Sequence, residues 1–168
     1  LGYNRKGLAD KWVFNNGDGT QNIFTMGYDQ HDRLVRGTAE IPEGKFRIEF
    51  NYKGKLLVTE RWYNVADNSL FADKVNYYDR NDRIKRQDDL VSKSKAFYTY
   101  DPNGNPLTVD LYFDGIIVFS ARFSYEISNK HPYRAIKGLP YTFPYYDAPS
   151  LGKRWESGAK YIFYDENA

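Results

Sequence analysis

The residues best suited to chemistry are few and scattered. The chain has two histidines: His31 inside a polar stretch and His131 directly before Pro132. Neither lies in an H-E-x-x-H or H-x-H pattern, so the spacing offers no pair of imidazoles for zinc. The absence of cysteine removes thiol nucleophiles, thiolate ligands and disulfides together. Serines occur, but no G-x-S-x-G elbow presents one for attack. Asp101-x-Asn103-x-Asn105 has the opening spacing of a calcium loop, yet the twelfth position is Tyr112 rather than a bidentate Glu, and Pro102 suits a turn. Carboxylates are abundant, 22 in all, and no motif singles out a glycosidase pair among them. Glycine loops that cradle phosphate are lacking. These patterns predict a non-enzymatic protein with no catalytic residues, no metal and no cofactor.

Binding chemistry remains, carried by an unusual aromatic content of 16 Tyr, 11 Phe and 3 Trp. Aromatic faces beside Asn, Asp and Arg suit stacking on sugar rings or capture of an apolar ligand. The densest cluster follows Asn129, and the ligand-binding candidates are Tyr133, Tyr141, Tyr145, Tyr146 and Trp155, with Trp62 and Arg61 as sheet neighbours. The competing reading is that these rings fill the end of a barrel.

The elements that would position them read as strands. Phe46, Ile48, Phe50 and Tyr52 alternate with polar residues, the period of a half-buried strand. The same pattern is expected at Leu56, Val58 and Trp62, at Leu107 to Phe113, and at Ile117 to Tyr125, with β-branched and aromatic side chains that suit a pleated surface. No helix is expected, and 65–71 holds a short turn at most. From Asn129 to Gly158 alternation fails and four of the seven prolines appear. An irregular segment packed over an end or open face of the sheet is expected there, before a closing strand at 160–164.

Turn chemistry organises the strands. Hairpin tips are expected at Asn15 to Gly19, Asp29 to Asp32, Lys53-Gly54, Asp79 to Asp82, Asp101 to Asn105 and Asp114-Gly115. Aligned, they expose a repeat over 28–126: an aromatic, a tight turn, a basic or polar residue, then an apolar one. Its copies start at Tyr28, Tyr52, Tyr78 and Tyr100, separated by 24, 26 and 22 residues. Two strands and two turns fit each unit, so the repeated turns should gather along one edge of a meandering antiparallel sheet. The repeated Asp is expected to accept a bond from an amide two residues ahead, a structural duty, with metal binding or catalysis as the alternative.

The repeat resembles the YD repeats of Rhs and teneurin proteins, and more closely the short secreted proteins of Bacteroides-type bacteria in the DUF4595 family. The similarity covers about Tyr28 to Tyr164, including Asn129-Lys130-His131-Pro132-Tyr133, which looks like that family's segment after its last repeat. The resemblance implies an exported envelope protein, often a lipoprotein, with a sheet curled toward a barrel. Rhs shells cleave themselves with paired D-P-x-G motifs. Here Asp101-Pro102-Asn103-Gly104 has no second copy, so self-cleavage is not expected.

Composition bounds the remaining classes. A chain of 168 residues is one ordinary domain's length, and its +2 net charge with interspersed signs provides no field for nucleic acid. The longest uncharged apolar stretch, Gly115 to Ala121, falls far short of the roughly 20 residues of a spanning helix. In the run from Arg83 to Leu90 both alternate faces hold charges, which disfavours a lipid-facing barrel strand. The start at Leu1-Gly2-Tyr3 suggests that an export signal or lipid tether precedes it.

The expected molecule is a single all-β domain over 1–168, an antiparallel up-and-down meander of about ten strands in hairpin repeats curling into an open or closed barrel. It is expected to be monomeric and periplasmic or at the cell surface, binding a glycan or another envelope protein without catalysis. A structural spacer or assembly module is the alternative, with a glycan-processing enzyme behind it.

Overall fold

The computed structural model describes residues 2–130 and 154–163. They form twelve strands: β1 (Gly2–Tyr3), β2 (Ala9–Asn15), β3 (Gln21–Tyr28), β4 (Leu34–Ile41), β5 (Gly44–Lys53), β6 (Leu56–Asn64), β7 (Leu70–Tyr78), β8 (Ile84–Asp89), β9 (Ser94–Tyr100), β10 (Pro106–Phe113), β11 (Ile116–Lys130) and β12 (Arg154–Phe163). No helix occurs among the described residues. Strand order in the sheet is the chain order, β1 through β12, so the fold is the all-β antiparallel meander expected from hairpin spacing. Each expected hairpin tip lies between two strands. The closing strand is longer than expected, starting at Arg154, and β11 continues to Lys130, so both ends of the segment expected to be irregular are strand. The rest of that segment lies outside the described residues. Residues group into two compact units, divided after Lys74 within β7.

In the first unit, β5 follows its alternation: Phe46, Ile48 and Phe50 are buried while their neighbours face outward. Burying each such side chain contributes about 1.5–3 kcal/mol. They meet a run of rings in which Trp12 stacks on Phe14 at 4.8 Å, Phe14 meets Phe24 at 6.0 Å, and Phe24 and Phe46 approach Trp62 at 6.4 and 5.8 Å. Trp12, Phe24, Phe46, Phe50 and Trp62 are therefore core.

Strand β6 departs from its expected alternation. Asn51 faces Thr59 and Tyr52 faces Leu57, which leaves Val58 as the extra residue of a bulge. The bulge switches faces, so Leu57 is buried where Leu56 and Val58 were expected, while Trp62 keeps the expected inner face and Glu60, two residues before it, shares that face. Glu60 accepts from the Trp62 indole at 2.6 Å and from Lys74 Nζ at 3.3 Å; all three side chains are buried. A buried charge needs such partners to offset its desolvation.

The opposite face of this unit is a charged ladder. Register sets Arg36 opposite Glu49 and Glu49 opposite Arg61, and Arg61 Nε then binds Asp73 at 3.0 Å. Arg47 pairs with Glu49 and covers the Tyr63 ring at 4.3 Å.

In the second unit Val109, Ala121 and Phe123 form a buried cluster, with Tyr98 and Phe119 against them. Leu107 and Phe113, expected to share the buried face of β10, are exposed, because register shifts interrupt that strand after Pro106 and after Leu111.

Candidate functional site

The repeated turns resolve the role of the Asp residues. At Asp29, Asp79 and Asp101 the first residue's N–H donates to the carbonyl of the fifth, at 2.9, 2.8 and 2.9 Å, and the fourth residue's N–H donates back to the first carbonyl. The fourth residue adopts positive φ: Asp32 at 61°, Asp82 at 60° and Gly104 at 84°. This is a three-residue hairpin loop closed by a left-handed residue. Asn4 to Leu8 and Asn16 to Thr20 build the same turn with Gly7 and Gly19, so the geometry begins upstream of the repeat visible in the sequence.

Each Asp side chain is consumed by its turn. Asp29 Oδ1 accepts from the amides of His31 and Arg33 at 2.8 and 3.0 Å; Asp79 repeats this with Asn81 and Arg83. The arginine then binds the second oxygen, Arg33 Nε at 2.8 Å and Arg83 Nε at 2.7 Å. The Arg33 amide bond leads the causes that lower the Asp29 carboxyl to about 2. At Asp79 and Asp101 burial pushes upward, but hydrogen bonds from Arg83 and Asn105 outweigh it and lower both groups. Asn105 Nδ2 points at Asp101 from 2.8 Å, an amide donor occupying the oxygen a cation would need. Among the described residues no three His or carboxylate side chains could hold a metal ion.

The repeated Tyr joins one copy to the next. Arg33 donates to the Gly54 carbonyl at 3.1 Å and covers Tyr52; Arg83 donates to the Asp101 carbonyl at 3.4 Å and covers Tyr100. The hydroxyls reach backward: Tyr28 bonds to the Ala9 carbonyl and Tyr100 to the Ile84 carbonyl at 2.7 Å, each acceptor being the first residue after the turn before last, Asn4–Leu8 and Asp79–Arg83. Burial pushes Tyr28 and Tyr52 up to about 12 and Tyr100 higher still.

The sequence candidates are dispersed. Trp62 is 2% exposed and belongs to the core, whereas Arg61 is on the outer face with Asp73. Consecutive strand residues point to opposite faces, so the two cannot line one surface. Trp155 falls in β12, where only the backbone is described, and Tyr133, Tyr141, Tyr145 and Tyr146 lie outside the described residues, as does His131. His31 sits in the first clamped turn, its Nδ1 4.0 Å from Asp29.

A cleft that sequence reasoning missed opens in the second unit. It encloses about 570 Å³ and is lined by Asp88, Asp89, Leu90, Lys93, Ser94, Lys95, Phe97, Tyr112, Asp114 and Gly115. Register explains the grouping. Phe97 faces Arg86 and Asp110, and Lys95 faces Asp88 and Tyr112, so six residues of three strands share one face. Phe97 and Tyr112 meet edge to face at 5.4 Å, with Phe97 39% exposed. The one sequence signal was the dense charge of 83–90; Phe97 carried none, since its partners belong to other strands. No protein-family model matches the chain, and no curated protein matches it significantly.

Proposed function

We propose that the protein is a non-catalytic ligand- or surface-binding module of an exported envelope protein, of the YD-repeat kind, with glycans as the ligand class. The observation that carries this reading is the open cleft of the second unit, where aromatic and charged side chains face solvent together. The repeat motif argues the same way from the opposite side, since its carboxylates, arginines and tyrosines are engaged with backbone and with each other. The charged ladder on the first unit's exposed face suits water rather than lipid. Titration calorimetry against saccharides, peptides and detergent-like apolar ligands tests the reading. Saturable binding of one class is the expected result, and no heat from any class would sink it.

A second reading, a structural spacer, is favoured by the linked turns, which tie successive hairpins into a stiff array. Small-angle scattering distinguishes the two: an extended or self-associating particle supports a spacer, a compact monomer the binder.

A further inference from the structure

We propose that Asn16 is a site of spontaneous deamidation in the folded protein, converting to aspartate and isoaspartate by attack of the Gly17 amide nitrogen, and that the isoaspartate loosens the β2–β3 hairpin. The proposal is independent of what the protein binds.

Asparagine followed by glycine is especially open to this chemistry, because glycine has no side chain to hinder its own nitrogen and its backbone turns freely. The chain contains two such pairs, Asn16-Gly17 and Asn103-Gly104, and both lie in the same kind of turn. Their places in it differ. Asn103-Gly104 holds the third and fourth positions of 101–105, and the fourth amide closes the turn, so Gly104 N–H donates to the Asp101 carbonyl at 3.0 Å. Asn16-Gly17 holds the first and second positions of 16–20, where Gly19 N–H closes the turn on the Asn16 carbonyl at 3.1 Å. The Gly17 amide makes no hydrogen bond among the described residues, Gly17 is exposed, and nothing stands within 4 Å of where its Cβ would be. One nucleophile is tied and the other is free.

The reaction consumes only water. The Gly17 nitrogen bonds to Asn16 Cγ, the Cγ–Nδ2 bond breaks, and the amide leaves as ammonia with the proton that Gly17 gives up. Water then opens the cyclic imide, at Cγ to leave aspartate or at the backbone carbonyl to leave isoaspartate, whose main chain runs through the side chain. Asn16 Nδ2 donates to Thr20 Oγ1 at 2.8 Å and to Asn22 Oδ1 at 3.1 Å, and these bonds must break as ammonia leaves, so the folded chain reacts more slowly than the unfolded one. Aspartate suits the first position, which Asp29, Asp79 and Asp101 hold in the other turns. Isoaspartate does not, because the extra main-chain carbon after residue 16 displaces Gly19 from the carbonyl on which it closes.

The test is incubation of the full chain in mildly alkaline buffer at physiological temperature, folded and in urea. Peptide mass mapping reads the gain of about one dalton at each pair, and an isoaspartyl methyltransferase scores the isoaspartate. In the folded chain Asn16 should convert about tenfold or more faster than Asn103, since Gly104 must first give up its hydrogen bond, and in urea the two should agree within about twofold. Gly17→Ala should slow Asn16 by about fivefold or more and leave Asn103 unchanged. The isoaspartate form should melt lower than fresh protein, whereas Asn16→Asp should melt as fresh protein does. Equal conversion of the two pairs in the folded chain, or an Asn16 that stays intact while the urea sample converts, overturns the proposal. Conversion indifferent to Gly17→Ala overturns the cyclic route, and an unchanged melt overturns the effect on the hairpin.

Discussion

Arg33 and Tyr52 belong to different hairpins, yet the Arg33 guanidinium carbon stands 5.3 Å from the centroid of the Tyr52 ring. Fifty residues on, Arg83 stands 4.8 Å from Tyr100 in the same arrangement, with its own Asp holding the other side of the guanidinium. The repeat is thus a device for fastening one turn to the next: the copies at Tyr28 and Tyr78 supply the acid and base, and the copies at Tyr52 and Tyr100 supply the ring that the base covers.

Loss of the acid should loosen the second-unit turn. Asp79→Ala removes the acceptor of two backbone amides and the anchor of Arg83, and should cost about 1–2 kcal/mol. Asp82→Gly, at φ 60°, should be neutral or stabilising because glycine adopts that conformation without strain, whereas Asp82→Val should destabilise. Urea denaturation of the three variants checks the order.

Stability should fall at both ends of the pH scale. The Asp29 carboxyl is lowered to about 2 in the folded chain, so its contribution is complete above the unfolded value near 4 and is lost as pH falls toward 2, with Asp79 and Asp101 acting in the same direction. Tyr28 and Tyr52 are raised to about 12, so the unfolded chain loses its phenolic protons first and stability declines as pH rises from about 10 to 12. Melting temperature against pH should show both declines, and Tyr52→Phe should soften the alkaline one.

The buried Glu60–Lys74 pair should be costly to break and cheap to replace. Glu60→Leu takes the carboxylate from the buried Lys74 ammonium, and Lys74→Met takes the cation from Glu60 while the Trp62 indole bond stays; each should cost about 3–5 kcal/mol, the second less than the first. The double variant should be less destabilised than the sum of the two, and a double-mutant cycle by chemical denaturation measures the coupling.

Two glycines of adjacent registers should differ sharply. A Cβ at Gly37 would lie 2.8 Å from the Thr25 carbonyl oxygen, so Gly37→Ala must shift the β3–β4 ladder and should cost about 1–3 kcal/mol. A Cβ at Gly27 meets only the flexible Arg36 side chain at 2.8 Å, so Gly27→Ala should cost well under half as much. Thermal melts of the two variants compare them directly.

The cleft shows why part of the site escaped sequence reasoning. Asp88 was visible only as one charge in a crowded run, and Phe97 as one aromatic among many. Their meeting depends on the register of β8 with β9 and of β9 with β10, which no single stretch of chain records. The aromatics after Asn129 drew attention because proline made them conspicuous, a compositional signal with no geometry attached.

The sequence by itself determined the meander. Two-residue periodicity and turn residues act over a few neighbouring positions, and short hairpin links leave antiparallel pairing with the next strand as the natural outcome. Tertiary structure decided which faces those strands turn inward. The bulge at Val58 turns Leu57 inward in place of Leu56 and Val58, on the strand whose Glu60 and Trp62 keep the inner face, and the β8–β9–β10 register gathers Asp88, Phe97 and Tyr112. One extra residue in a strand inverts every side chain after it, and where that residue falls depends on the partner strand as well as on local pattern.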